Sequence, residues 1–274
     1  MELLVLMIKR FSISFPHATT SFGICCDNVK LTNLLEMYYG SMFENVDKVN
    51  EVELCYLNEI FCVKKGGKLY NAQIQTCETA FCSIVAYIRN NIHVENDWFL
   101  YHGSCSVVGE KVYLFIGSSM SGKTTLTTFL DFQPKTITVT EDLSAINFET
   151  CEIESINRPF FLRPSSFELL QSKYNIAIPA NGTCTYNVNE KIIANFNSII
   201  PNVTYKIDEI LFLCLREGAV EKKKCNEFED LLYNSYNAND ITKSIYATHI
   251  LASSVPMFKL YYYDLNEVYN YLLG

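Results

Sequence analysis

Residues 117–124 read Gly-Ser-Ser-Met-Ser-Gly-Lys-Thr. They fill G-x-x-x-x-G-K-[ST] at every fixed position, and each position has a physical task. The glycines let the backbone curl until successive N–H groups point at one spot, which suits phosphate oxygens. A helix that starts at the end of the loop adds the positive end of its dipole. Lys123 supplies a point charge for the outer phosphates, and the Thr124 hydroxyl suits Mg²⁺. The candidate nucleotide-binding residues are therefore Gly117, Ser118, Ser119, Met120, Ser121, Gly122, Lys123, Thr124 and Thr125.

A loop of this kind needs an acid at the end of a neighbouring strand. Glu141-Asp142 directly follows the β-branched run "TITVT" (136–140). One carboxylate can hold Mg²⁺ and leave the other to accept a proton from a substrate hydroxyl. A histidine at the start of a strand is more often structural than catalytic. His102 gains interest if 102–108 and 111–117 pair as a hairpin through Gly109-Glu110, because it then lies at the loop's end of the hairpin. Arg158 and Arg163 follow the acids, and a guanidinium fork matches phosphate oxygens. A surface salt bridge is the competing reading for both.

The elements that must hold these residues are legible in outline. "KVYLFIG" (111–117) reads as a strand buried on both faces, and "SGKTTLTTFL" as a helix bounded by Pro134. "LSAINF" and "CEIESI" predict a hairpin, and "YKIDEILFLCLRE" (205–217) one further strand. Two helices, "ITKSIYATHILASS" and "DLNEVYNYLL", flank a strand "MFKLYYY". Earlier, "LLVLMIKRFSISF", "VELCYLN" and "EIFCVKK" read as strands, with a tight turn at Lys65-Gly66-Gly67-Lys68. Helical spacing puts Phe81, Ile84, Val85, Ile88 and Ile92 on one face over 79–92. The pattern predicts an α/β protein: a smaller α+β region at 1–97, then a nucleotide-binding domain at 98–274 with a mixed sheet.

The 274 residues are 49% apolar, enough for a substantial core. The net charge of −8 argues against a nucleic-acid groove. Lys222-Lys223-Lys224, among Glu217, Glu221, Glu227 and Glu229, predicts a solvated loop. The eleven cysteines form no CxxC pair and sit mostly in apolar runs, which fits a reducing, cytoplasmic compartment. No apolar run reaches the roughly 18 residues of a membrane span. The start reads as a strand and not a signal peptide. Formal glycosylation sites at Asn181 and Asn202 carry no weight in that compartment. Association with further copies of the chain is left open.

His102-Gly103, a hairpin, the loop and then an acidic pair closing the next strand together resemble the HPr kinase/phosphorylase family, of the phosphoenolpyruvate-carboxykinase-like fold. The likeness is nearer to its shorter, peptide-modifying relatives. "SINRPFFLRPS", "KIDEILFLCLREG" and "SSVPMFKLYYYDLNEVYNYLL" resemble later family segments in the right order, over 98–274 in all. The resemblance implies the C-terminal P-loop core of that family, ATP and Mg²⁺. It implies Lys123 and Thr124 at phosphate and metal, Glu141 near the metal, Asp142 as general base and His102 assisting. The family's first acid is commonly Asp, and its acidic-Arg-Gly signature is absent here. "ESINRPFF", with Glu154 and Arg158, stands in that place, so HPr itself is not the expected substrate.

The resulting expectation is an ATP-dependent serine kinase that phosphorylates a Ser or Thr hydroxyl of a peptide or protein, as in peptide natural-product maturation. The alternatives are a non-catalytic nucleotide-binding scaffold or regulator, and a phosphorylase or pyrophosphate-using phosphotransferase on the same site.

Overall fold

The computed structural model describes residues 9–15, 17–40, 43–45, 52–156, 159–186, 189–194, 203–235 and 240–274. It is a mixed α/β fold with several sheets. The first region contains β1 (Lys9–Ser14), β2 (Ser21–Cys26), α1 (Val29–Tyr39), β3 (Phe43–Asn45), β4 (Val52–Leu57), β5 (Ile60–Lys65), β6 (Lys68–Ile74) and α2 (Cys77–Asn91). Next come β7 (Trp98–Tyr101), β8 (Ser104–Val108), β9 (Lys111–Ile116), α3 (Lys123–Asp131), β10 (Thr136–Thr140), β11 (Ser144–Asn147), β12 (Glu152–Glu154), β13 (Phe160–Leu162) and α4 (Pro164–Ser172). The chain continues through β14 (Ala180–Tyr186), β15 (Asn189–Ala194), β16 (Thr204–Lys206), β17 (Glu209–Leu215), β18 (Glu221–Lys224), α5 (Phe228–Tyr233), α6 (Ile241–Ser254), β19 (Met257–Tyr262) and α7 (Leu265–Leu273).

The first sheet has the order β3-β1-β2-β4-β5-β6. Gly66 and Gly67, at φ 54° and 77°, make the two-residue turn from β5 to β6, where any Cβ would be strained. Helix α1 starts where the Asn28 side chain accepts from Leu31 N (3.0 Å) and stops at Gly40. The sequence pattern does not single out α1, because Leu31, Leu34, Leu35 and Tyr38 lie among apolar residues that also suit strands. Helix α2 starts at Thr76, which accepts from Thr79 N, and buries Phe81, Ile84, Val85 and Ile88 as the spacing predicts. Each such side chain, fully buried, contributes roughly 1.5–3 kcal/mol.

The second sheet, β10-β8-β9-β17-β19-β18, carries the site. Strand β9 is antiparallel to β8 and parallel to β17, which is parallel to β19. Its residues alternate: Val112, Leu114 and Ile116 face one core layer, and Tyr113 and Phe115 the other. Helices α3, α4 and α7 cover the Tyr113 face. The Val112 face packs on α6 and on the third sheet, β16-β12-β11-β7. The opposite face of that third sheet, with Leu100 and Ala145, joins the core under α1 and α2, so apolar packing runs across residue 97. There the His17 ring stacks on Trp98 at 3.5 Å and its Nε2 bonds Glu154.

Two expectations are corrected. Lys222–Lys224 lie in the edge strand β18 and not in a loop, and Lys222 Nζ donates to the buried Glu209 (2.8 Å). The run 205–217 is two strands, β16 and β17, in different sheets, because the chain turns at Ile207-Asp208. The ten cysteines with described side chains are free thiols. Among the described residues no helix is long and apolar enough to cross a membrane. Asn202 and Arg158 lie outside the described residues.

Candidate active site

Three chain segments meet at one edge of the second sheet. Strand β9 ends at Ile116 and passes into loop 117–122 and then α3. Strand β8 is antiparallel to both β9 and β10. Its N-terminal approach, with His102, therefore lies at the same edge as the C-terminal ends of β9 and β10. The acidic pair sits one strand further from the loop than expected, because β8 lies between β9 and β10.

The loop's shape explains its residues. Gly122 has φ 91°, and Met120 also lies in the left-handed region at 70°. A Cβ on Gly117 would stand 2.5 Å from Ser121 Oγ, and one on Gly122 would run into Tyr262 Oη. Helix α3 begins with no side-chain cap and no acid in its first turn, which leaves its positive end to an external anion. Ser121 Oγ is buried with no hydrogen-bond partner. Lys123 turns back over the loop, donating to Gly117 O (2.5 Å) and Ser118 O (3.3 Å). Burial pulls its pKa below the ordinary lysine range, and the charges of Asp142 and Glu141 oppose that.

The acids are fixed by an unusual turn. Leu143 N donates to Glu141 O at 2.7 Å, with Asp142 between them at φ 63°. A three-residue turn with a positive-φ centre is strained, and such strain concentrates at functional sites. It aims the two carboxylates differently. Buried Glu141 accepts from Thr124 Oγ1 at 2.5 Å. Asp142 is partly exposed, and its Oδ1 lies 2.9 Å from His102 Nε2. His102 is held in turn through its N–H, which donates to Asn234 O (2.7 Å).

The arrangement therefore gathers His102, Glu141, Asp142, Lys123 and Thr124. Arg163 lies on a different element. It is half-buried at the N-terminus of α4, one turn before Ser166, which accepts from Thr125 Oγ1 (3.0 Å). Asn234 and Tyr262 are the members that sequence reasoning missed. Neither carries a motif, and Tyr262 Oη donates to Ser121 O (2.9 Å) from 141 residues away.

The residues fit a nucleoside triphosphate and Mg²⁺. The loop curls too tightly to admit a Cβ at 117 or 122, and it leads into the uncapped start of α3. Thr124 and Glu141 offer the hard oxygens that Mg²⁺ takes while keeping several waters. Among the described residues no cluster of three His, Cys, Asp or Glu forms a full protein cage.

No protein-family model matches the chain, and no curated protein matches it. Among solved structures, the HPr(Ser) kinase/phosphatase from Coxiella burnetii is a weak neighbour, with a TM-score of 0.29 at 9% identity. The match covers 64% of this chain and 96% of that one.

Proposed function

We propose that this chain is an ATP-dependent kinase that transfers a phosphoryl group to a Ser or Thr hydroxyl of a peptide or protein. The observation that carries the reading is the His102–Asp142 contact beside the loop that holds Lys123. A scaffold that only bound a nucleotide would not need a strained, half-exposed carboxylate paired with an imidazole. In this reading residues 98–274 form a P-loop core of the HPr kinase C-terminal type, with 1–97 packed on it, in a reducing cytoplasm that suits the free thiols.

Each residue then has a task. The loop N–H groups, the start of α3 and Lys123 hold the phosphates and neutralise charge as the terminal group departs. Thr124 and Glu141 would hold Mg²⁺, which would shield the phosphate charge. Asp142 takes the proton of the acceptor hydroxyl, whose oxygen bonds the terminal phosphorus while the bond to the leaving phosphate breaks. His102 orients that carboxylate. Arg158 and Arg163 are assigned to phosphate or acceptor charge.

Incubation with ATP-Mg²⁺ and a library of Ser- and Thr-containing peptides, followed by mass, tests this. Gain of one phosphoryl group that Asp142→Asn abolishes is the expected result. Transfer undiminished in that variant, or ATP binding without transfer to any peptide or protein, would replace the proposal with another base or with the scaffold reading.

A further inference from the structure

We infer that Tyr262 is a positioning residue that holds the phosphate loop open in its receiving shape before any ligand arrives. Three observations converge. Tyr262 is buried at the C-terminal end of β19, and its hydroxyl donates to Ser121 O at 2.9 Å. The same oxygen stands too close to the place of a Gly122 Cβ for that atom to fit, with the ring carbon Cζ 3.6 Å from it. Gly122 is also the N-cap of α3, in the left-handed region and with no side chain to cap the helix. The phenol thus holds the backbone on both sides of the Ser121–Gly122 peptide.

The consequence is geometric. A loop whose N–H groups must converge has its carbonyls turned outward, and an outward carbonyl buried from water needs a donor. Tyr262 supplies that donor at Ser121. Strand β19 is two strands from β9, so the reach of a full tyrosine is needed. Phenylalanine keeps the packing and removes only the donor. The nucleotide part of this inference rests on the proposed function, whereas the loop part does not.

The experiment uses the full chain in three arms. In the ligand-free protein, Tyr262→Phe is expected to speed hydrogen exchange of the 118–123 amides about threefold to tenfold, the factor a neutral hydrogen bond is worth. Exchange in the rest of β19 should not move. The Kd for ATP-Mg²⁺ is expected to rise by a similar factor. Gly122→Ala is expected to lower the melting temperature less in the Tyr262→Phe background than in the wild type, because the opposing oxygen is gone. Unchanged loop exchange together with additive melting shifts overturns the inference. If the wild type binds no ATP-Mg²⁺, the nucleotide reading fails, and the exchange and melting arms still decide the role of Tyr262.

Discussion

Nε2 of His102 lies 2.9 Å from Oδ1 of Asp142, although each stands outside a strand and neither is rigid by secondary structure alone. His102 is anchored by its N–H to Asn234 O, and Asp142 by the turn that Leu143 N closes on Glu141 O. Two anchored backbones thus present a carboxylate oriented by an imidazole. In the proposed reaction, Asp142→Asn and His102→Asn each lower turnover by about 10- to 10⁴-fold, the range for a positioned acid–base group. ATP affinity should stay within about twofold. A His102→Asn enzyme with full turnover but a lowered melting temperature would make the histidine structural.

Lys123→Ala is expected to weaken ATP binding by about 1.5–3 kcal/mol, the worth of a charge-assisted hydrogen bond. Removing the charge also strips Asp142 and Glu141 of their nearby cation. Calorimetry with ATP-Mg²⁺ reads the loss. Unchanged affinity would move the nucleotide site elsewhere.

Gly117→Ala places a methyl 2.5 Å from Ser121 Oγ and 2.9 Å from Ser121 Cβ. The loop must shift, at about 1–3 kcal/mol of stability, the usual cost of overpacking. ATP binding should fall with it. In the Ser121→Gly background both effects should shrink. Equal losses in both backgrounds would refute the close approach of Gly117 to Ser121.

Alkaline pH tests the core behind the site. Burial, then the charges of Glu209 and Asp208, push the Tyr113 phenol from 10.0 up to about 12, and its hydroxyl donates to Leu272 O. The unfolded chain releases this proton first, so the folded state binds more protons between about pH 10 and 12. Its contribution to stability is complete below pH 10 and lost as pH rises towards 12. Melting temperature should fall over that window, and less steeply in Tyr113→Phe. Identical slopes would assign the alkaline loss to other groups.

What could be read from the sequence follows how local each cause is. The loop was legible because its backbone admits few residue types, with no room for a Cβ at 117 or 122. The β8–β9 hairpin was legible because its turn and its pairing are adjacent in the chain. Helix α1 was not, because Asn28 as its cap is one weak signal among strand-like apolar residues. Strand β18 was hidden by three lysines, of which Lys222 pairs with Glu209 on β17 and Lys223 with Glu221 within β18 itself. The γ-turn at Asp142 and the support from Asn234 leave no composition signal, since both depend on tertiary contacts.

The Tyr262–Ser121 bond also bears on the order of events during synthesis. His102, the loop and the acids lie within one stretch, 102–142, whose strands pair locally and close small loops at little entropic cost. Their support comes from a residue 141 positions beyond Ser121. A nascent chain can therefore pair these strands long before Asn234 and Tyr262 exist to anchor His102 and brace the loop. Domains fold as they emerge from the ribosome, so in the proposed function phosphate capture becomes efficient only once β19 has docked beside β17. For the proposed kinase, the strand made last in this sheet then acts as a completion check, which keeps a half-made chain from committing nucleotide to an unfinished site.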